Sequence, residues 1–460
     1  MGGTPLMLFN SVEFLFGFLP IVLAGWWLLA GRRTVQLWFL FVASVCFYSY
    51  WDWRFTPLLL ASIVLNWLAA EGFFAWRMRW LPVAAIVANL VTLGLFKYLG
   101  FFESIVVATT DWRPDLARLA LPLGISFFTF HHIIYLADLL GKGAPRYRFR
   151  DYALYIALFP QILAGPLVRH REIIPQFSDE SARPDWQERS SRAIALFLIG
   201  LAKKVVFADA LAALADPVFT QAASGPVSCG AAWTAALAFP LQIYFDFSAY
   251  SDMAIGLAAL FGFSLPYNFN VPYRATSLQE FWRRWHMTLS RFLRDYLYIP
   301  IGGSRQSLPK HLAALLATMV LGGMWHGAGW TFILWGGLHG SGLAVGVLWR
   351  RWLPPLPAMA GWVLLMTFLI VSWVMFRAPS LPAALHIYAG MAGQTAAAPL
   401  GGIATILPAA AVALLGPSSQ AVAGQFNPWR WLAPVGALAT AALLLKLADG
   451  PSYEFIYFRF

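Results

Sequence analysis

Charge is scarce in this sequence. Only 12% of its 460 residues are Asp, Glu, Lys or Arg, against about 25% in a soluble domain. Cysteine is scarcer: Cys46 and Cys229 each sit in an apolar stretch. That excludes a disulfide framework and a CxxC metal pair, so both read as small apolar residues. The chain lacks a P-loop, a GxGxxG opening a dinucleotide fold, an HExxH and a GxSxG. It also lacks an internal repeat and the matched pair of broken helices expected of an inverted-repeat transporter.

Apolar residues are abundant, at 60%, with a mean hydropathy of +0.64. Lipid is therefore the solvent for most of the surface, and residues 1–460 read as one all-α polytopic membrane domain. A spanning helix needs about 20 apolar residues. The expected spans are 8–30, 35–52, 55–76, 81–101, 119–140, 193–215, 230–263, 312–329, 331–349, 360–376, 403–416 and 431–448. Trp26, Trp27, Tyr48, Tyr50, Trp51, Trp53, Trp76 and Trp80 cluster at span boundaries, as interfacial aromatics do. Phe14–Leu29 lacks a basic leader and a small-residue cleavage site, so it reads as a retained span. Residues 398–430, rich in Ala, Gly and Pro, read as a loop with a weak span.

The net charge of +11 comes in short basic runs between apolar stretches. This fits a positive cytoplasmic face against anionic lipid headgroups. With no soluble basic domain, nucleic acid is not a partner. Tyr152–Val168 is apolar but holds Pro160, Gly165 and Pro166, with Lys142, Arg146, Arg148 and Arg150 before it and Arg169, Arg171, Arg183, Arg189 and Arg192 after. A full span would put two basic loops on opposite sides, so we expect a re-entrant or broken element. Irregular backbone at membrane depth must be buried in protein or line a cavity, and Phe159–Pro166 is expected to line a cavity. Both termini then fall outside, with Arg113 and Arg118 a violation of the charge rule that Asp111 and Asp115 partly offset.

Titratable residues inside a membrane domain are functional candidates. In Leu241–Asp252, Asp246 and Tyr250 share a helix face, either walling a cavity or joining helices by hydrogen bonds. Leu278–Tyr296 places Phe281, Trp282, Trp285, Leu289, Phe292, Leu293 and Tyr296 on one face of a helical wheel, with Arg283, Arg284, Arg291 and Arg294 opposite. This reads as one interfacial amphipathic helix, with His286 at the border of its apolar face. His286 is either a satisfied structural residue or a site residue, and the arginines suit headgroups or donor phosphates. His326 lies in the glycine-rich Leu321–Trp330 run, where a neutral imidazole can accept a hydroxyl proton or bond a neighbouring carbonyl. The adjacent His131 and His132 diverge by about 100° on a helix and cannot share a site; His339 reads as structural. No carboxylate or cysteine set accompanies His286 and His326, so no metal is expected.

Met7–Phe16, Leu121–Phe130, Phe159–Pro166, Tyr244–Asp252, Pro266–Asn270, Glu280–Ser290, Met324–Gly327 and Phe455–Phe460 occur in order along nearly the whole chain. In this the sequence resembles the membrane-bound O-acyltransferase (MBOAT) family, and within it the bacterial alginate O-acetyltransferase branch. One departure is the closing Tyr-Phe-Arg-Phe, where the branch has Tyr-Phe-Gln-Phe. The resemblance implies an MBOAT-type helical core of about 11–12 spans with broken elements and an interfacial helix. It implies His326 of the Trp-His-Gly motif as the catalytic residue, with His286 as a second catalytic histidine that orients the donor or polarises its carbonyl. Trp325, Asp246, Tyr250, Asn270, Trp282 and Trp285 are candidates to line the substrate cavity, and Arg283 and Arg284 to hold donor phosphates.

The expected reaction moves an acyl group, most simply acetyl, from a cytoplasmic thioester to hydroxyls of an exported polysaccharide. The donor would be acetyl-CoA or an acyl carrier protein, and no cofactor would be permanently bound. The expected partners are membrane lipids and a periplasmic acyltransferase or polysaccharide-modifying protein, at the bacterial inner membrane. Competing readings are peptidoglycan O-acetylation, D-alanyl transfer to teichoic acid and, outside enzymes, a proton-coupled transporter using His326 and Asp246.

Overall fold

The computed structural model describes residues 7–110, 112, 120–141, 143–178, 186–425 and 455–456. Asp111, Arg113, Asp115, Arg118, Lys142, Arg183, the expected 431–448 span and residues 457–460 lie outside them. The described elements are helices with no β-strand among them. The described residues divide into two compact units, one holding those from 7 to 197 with 251–266, the other 198–250, 267–425 and 455–456.

Among the described residues, five helices are long and apolar enough to cross a membrane: Arg33–Trp51, Trp53–Trp76, Trp80–Thr109, Trp330–Trp352 and Ala358–Arg377. Ile403–Leu415 and Ser419–Gln425 form a sixth candidate, bent by 68°. The chain is a multi-pass membrane protein. Several other expected spans form shorter helices, such as Glu13–Leu28 and Ile125–Gly141. Others carry buried charge, as the 32-residue Cys229–Leu260 helix does with Asp246 and Asp252.

In the first unit, Trp80–Thr109 buries only Pro82, Asn89 and Leu93, so its apolar surface faces lipid. It is joined to its neighbour by an amide pair. Asn89 Nδ2 donates to Asn66 Oδ1 at 2.6 Å, Asn66 returns the bond at 3.3 Å, and each amide also donates one turn back. Such polar pairs join helices where lipid offers no hydrogen bonds.

The expected break is present here. The Phe149–Ala157 helix ends at Leu158, and Phe159–Ile162 restarts at an angle. Pro160 has no N–H to continue the ladder. The Phe159 N–H donates to Ser44 Oγ at 3.1 Å, and the Gln161 amide reaches the Tyr155 carbonyl. The Phe159 ring meets Phe14, Phe18, Phe47 and Phe261. The irregular backbone is thus accommodated by burial against protein, with aromatic rings around Phe159.

In the second unit, Leu308–His326 and Trp330–Trp352 form a tight helical hairpin. A Cβ on Gly323 would lie 2.3 Å from Phe332 O, one on Gly336 2.4 Å from Met319 O, and one on Gly340 2.8 Å from Leu316 Cα. Only glycine permits backbones this close.

The single amphipathic helix expected over 278–296 is not formed. Leu278–Arg284 and Met287–Leu293 are separate helices, followed by a π-helical Arg294–Tyr298. At the break Trp285 is extended and His286 is left-handed, φ 41° and ψ 52°. The apolar spacing was right, but tertiary pairing diverts the backbone. Arg284 O accepts from Asn270 N–H, and Met287 N–H donates to Asn268 O, both at 2.9 Å. The 266–270 segment thereby satisfies the groups a continuous helix would have paired internally.

Candidate functional site

The hairpin places His326 on the last residue of its first helix. Gly327 follows in an extended conformation, and a Cβ there would lie 2.1 Å from the Phe332 ring. His326 is 6% exposed. Its ring packs on Trp325 at 4.8 Å, Trp335 at 5.4 Å and Phe376 at 5.2 Å. Burial among apolar rings lowers the local dielectric, which strengthens any charge interaction made there.

His286 is fully buried. Phe247 meets it edge-on at 4.7 Å, and Trp325 lies 6.2 Å away. Trp325 therefore packs on both histidines. His286 Nδ1 bonds Asn268 Oδ1 at 3.1 Å, and the same oxygen accepts from Thr288 N at 3.2 Å and Thr288 Oγ1 at 3.0 Å.

Behind Trp335 lies a third histidine, His339, whose tautomer its neighbours determine. Trp282 Nε1–H donates to His339 Nδ1 at 3.2 Å. Indole nitrogen only donates, so in neutral His339 the proton sits on Nε2. That nitrogen lies 3.2 Å from Ser372 Oγ, which donates onward to Leu369 O. His339 thus ties three helices together, and Trp282 belongs to this relay.

Asp246 is engaged in an ion cluster. Lys204 Nζ lies 2.7 Å from Asp246 Oδ1 and 2.8 Å from Asp209 Oδ1, and Asp246 Oδ2 accepts from Ile456 N–H at 2.7 Å. The Lys204 and Asp246 side chains are 1% and 4% exposed. This ion cluster joins Asp246 to the Lys203–Ala208 and Asp209–Ser224 helices. Tyr250, one turn on, meets the Phe455 ring. Trp285 is buried between Phe281 and Trp373.

Asn270 is exposed, and its N–H serves the helix break. The asparagine on His286 is Asn268, two residues earlier. Arg284 pairs with Glu280 at 2.7 Å, and Glu280 Oε2 accepts from Thr276 N–H at 2.9 Å. This leaves Arg283, exposed on the same helix, as the simpler phosphate candidate.

In the first unit, His131 and His132 diverge as expected. His131 Nε2 accepts from Val168 N–H, while His132 lies between Tyr152 OH at 2.6 Å and Ser62 Oγ at 3.2 Å. Sequence reasoning did not single out His170, which lies between Asp138 Oδ2 at 3.2 Å and Tyr147 OH at 2.9 Å.

Comparison with known proteins identifies the family. A sequence model of MBOAT, the membrane-bound O-acyltransferase family, matches residues 34–385. A peptidoglycan O-acetyltransferase of Helicobacter pylori is 39% identical over 84% of this chain and 80% of its own length. A probable alginate O-acetylase of Azotobacter vinelandii is 40% identical over 84% of this chain and 78% of its own. A teichoic acid D-alanyltransferase of Streptococcus thermophilus is 26% identical over 50% of this chain and 57% of its own.

Proposed function

This chain belongs to the membrane-bound O-acyltransferase family and is an O-acyltransferase, and from that premise we propose its reaction: transfer of an acetyl group from a cytoplasmic thioester, through the membrane, to hydroxyls of an exported polysaccharide. The observation that carries this reading is His326, buried among rings at a helix end in the Trp-His-Gly motif. His326 takes the proton of the incoming hydroxyl as its oxygen attacks the thioester carbonyl. The tetrahedral adduct collapses, the C–S bond breaks, and the proton passes from His326 to the leaving thiolate. General-base catalysis of this kind contributes about 10²–10⁴ in rate.

The donor is acetyl-CoA or the phosphopantetheine thioester of an acyl carrier protein, and Arg283 suits its phosphates. The protein works in the bacterial inner membrane and hands its acyl group to a periplasmic acyltransferase or polysaccharide-modifying partner. The likeness to the Helicobacter pylori enzyme favours a second acceptor, peptidoglycan.

Wild type and His326→Ala, compared in the native host at equal protein level, test this reading. Ester-linked acetate on exported glycans should fall at least about 100-fold in the variant, and equal acetate would end it. The fraction that loses acetate, soluble polysaccharide or cell wall, separates the two acceptors. Labelling membranes with radioactive acetyl-CoA or acetylated carrier protein identifies the donor.

A further inference from the structure

We infer that Asn268 is a positioning residue that fixes His286 with its proton on Nδ1 and its lone pair on Nε2. The inference rests on the acyltransferase reading and deepens it, by assigning what the second histidine can do.

The argument begins with the amide. Asparagine oxygen and nitrogen are hard to distinguish by shape, and the surroundings must decide. Here they do. The Thr288 backbone N–H is an obligatory donor, 3.2 Å from the Asn268 atom that also faces Thr288 Oγ1 and His286 Nδ1. That atom must accept, so it is the carbonyl oxygen. A carbonyl oxygen cannot donate, so Nδ1 must, and in the neutral ring Nε2 then holds the lone pair.

The backbone is built to hold this arrangement. His286 and Val271 are two of three described non-glycine residues with positive φ, at 41° and 39°. Such conformations cost about 1–3 kcal/mol each and persist where surroundings over-determine them. His286 lies within the pairing of 268–270 with 284–287 and Val271 adjoins it; there Met287 N–H donates to Asn268 O and Asn270 N–H to Arg284 O. Asn268 thus grips the break with its carbonyl and the imidazole with its side chain.

This changes the expected chemistry. A histidine polarising the thioester carbonyl would donate a hydrogen bond from the nitrogen facing substrate. His286 fixed in this way accepts at Nε2, from the acceptor hydroxyl or from an amide N–H of the donor's pantetheine arm. His339 carries the opposite assignment, set by Trp282, so one unit fixes two histidines in two tautomers.

The test uses full-length protein in host membranes, supplied with radiolabelled acetyl-CoA and acetylated carrier protein in parallel, read across pH. Asn268→Leu should lower kcat roughly 10- to 100-fold with KM little changed, as loss of a residue orienting a site histidine does. Asn268→Asp keeps the accepting oxygen and adds a negative charge beside Nδ1. It should restore the rate at high pH and move the acid limb of the profile up by about one unit or more. The Phe247 and Trp325 rings packed on His286 carry no charge. His286→Asn tolerates positive φ and keeps an N–H for Asn268 while removing Nε2; it should fold, yet lose transfer. An acid limb unmoved in Asn268→Asp, or full transfer by His286→Asn, overturns the inference while the wild type still transfers. A wild type that transfers from neither donor overturns the reading beneath it, and the inference with it.

Discussion

Gly323→Ala adds one methyl group a single turn before His326. The new Cβ would sit 2.3 Å from Phe332 O and 3.1 Å from Gly336 Cα, both backbone atoms that no rotamer change can remove. Ordinary contact requires the hairpin to open by about 1 Å, and overpacking of that kind costs about 1–3 kcal/mol. Because His326 closes the same helix, the opening also displaces the imidazole, and a displacement near 1 Å can lower a rate by about 100-fold. Gly337→Ala is the control, on the facing helix, where a Cβ meets nothing within 4 Å. That change should be neutral or stabilise by up to about 1 kcal/mol, through the helix propensity of alanine over glycine. Thermal unfolding in detergent and ester-linked acetate in cells read the two effects separately. A Gly323→Ala protein as stable and active as Gly337→Ala would refute the reasoning, because it would show that the hairpin yields without moving the site.

Two further outcomes follow from the buried charges and the helix cap. Lys204→Met removes the cation shared by Asp209 and Asp246 and should destabilise by about 3–5 kcal/mol; adding Asp246→Leu should recover part of the loss, measured as coupling in a double-mutant cycle. For Glu280, the bond from the Thr276 N–H, above all, holds the carboxyl below the usual carboxylate range; burial opposes this, and Arg284 adds to it. A lowered folded value contributes stability above the unfolded value, and that stability is lost as pH falls through the folded one. The thermal midpoint of wild type should therefore fall more steeply in acid than that of Glu280→Gln.

Hydrophobic length made much of the fold legible. The expected 55–76, 331–349 and 360–376 appear as Trp53–Trp76, Trp330–Trp352 and Ala358–Arg377, because a run of apolar residues in lipid has few alternatives to helix. Pro160 and the flanking arginines likewise announced a broken element near 159. The wheel over 278–296 misled for a definite reason. A wheel registers which side chains share a face, but it cannot register that Arg284 O and Met287 N–H are claimed by residues 268–270. Nothing local marks the break, since neither Trp285 nor His286 is a helix breaker. Only the tolerance of histidine for left-handed φ is consistent with its place there.

The same distinction separates the candidates at the site. The burial of His326 could be read from the apolar run around it, because that is a property of a short stretch. Asn268 and Asn270 could not be told apart, lying two residues apart in one motif; what separates them is Thr288, eighteen residues or more away. Asp246 looked available because its partner Lys204 sits on another helix, inside the expected 193–215 span, where nothing local names its partner. Once Lys204, Glu280 and His339 claim Asp246, Arg284 and Trp282, the sequence candidates that still pack together around one ring are His326 and His286, joined by Trp325. The polar groups engaged elsewhere hold that arrangement in place. Mutating them should therefore lower protein stability, whereas mutating the two histidines should lower transfer with the protein still folded.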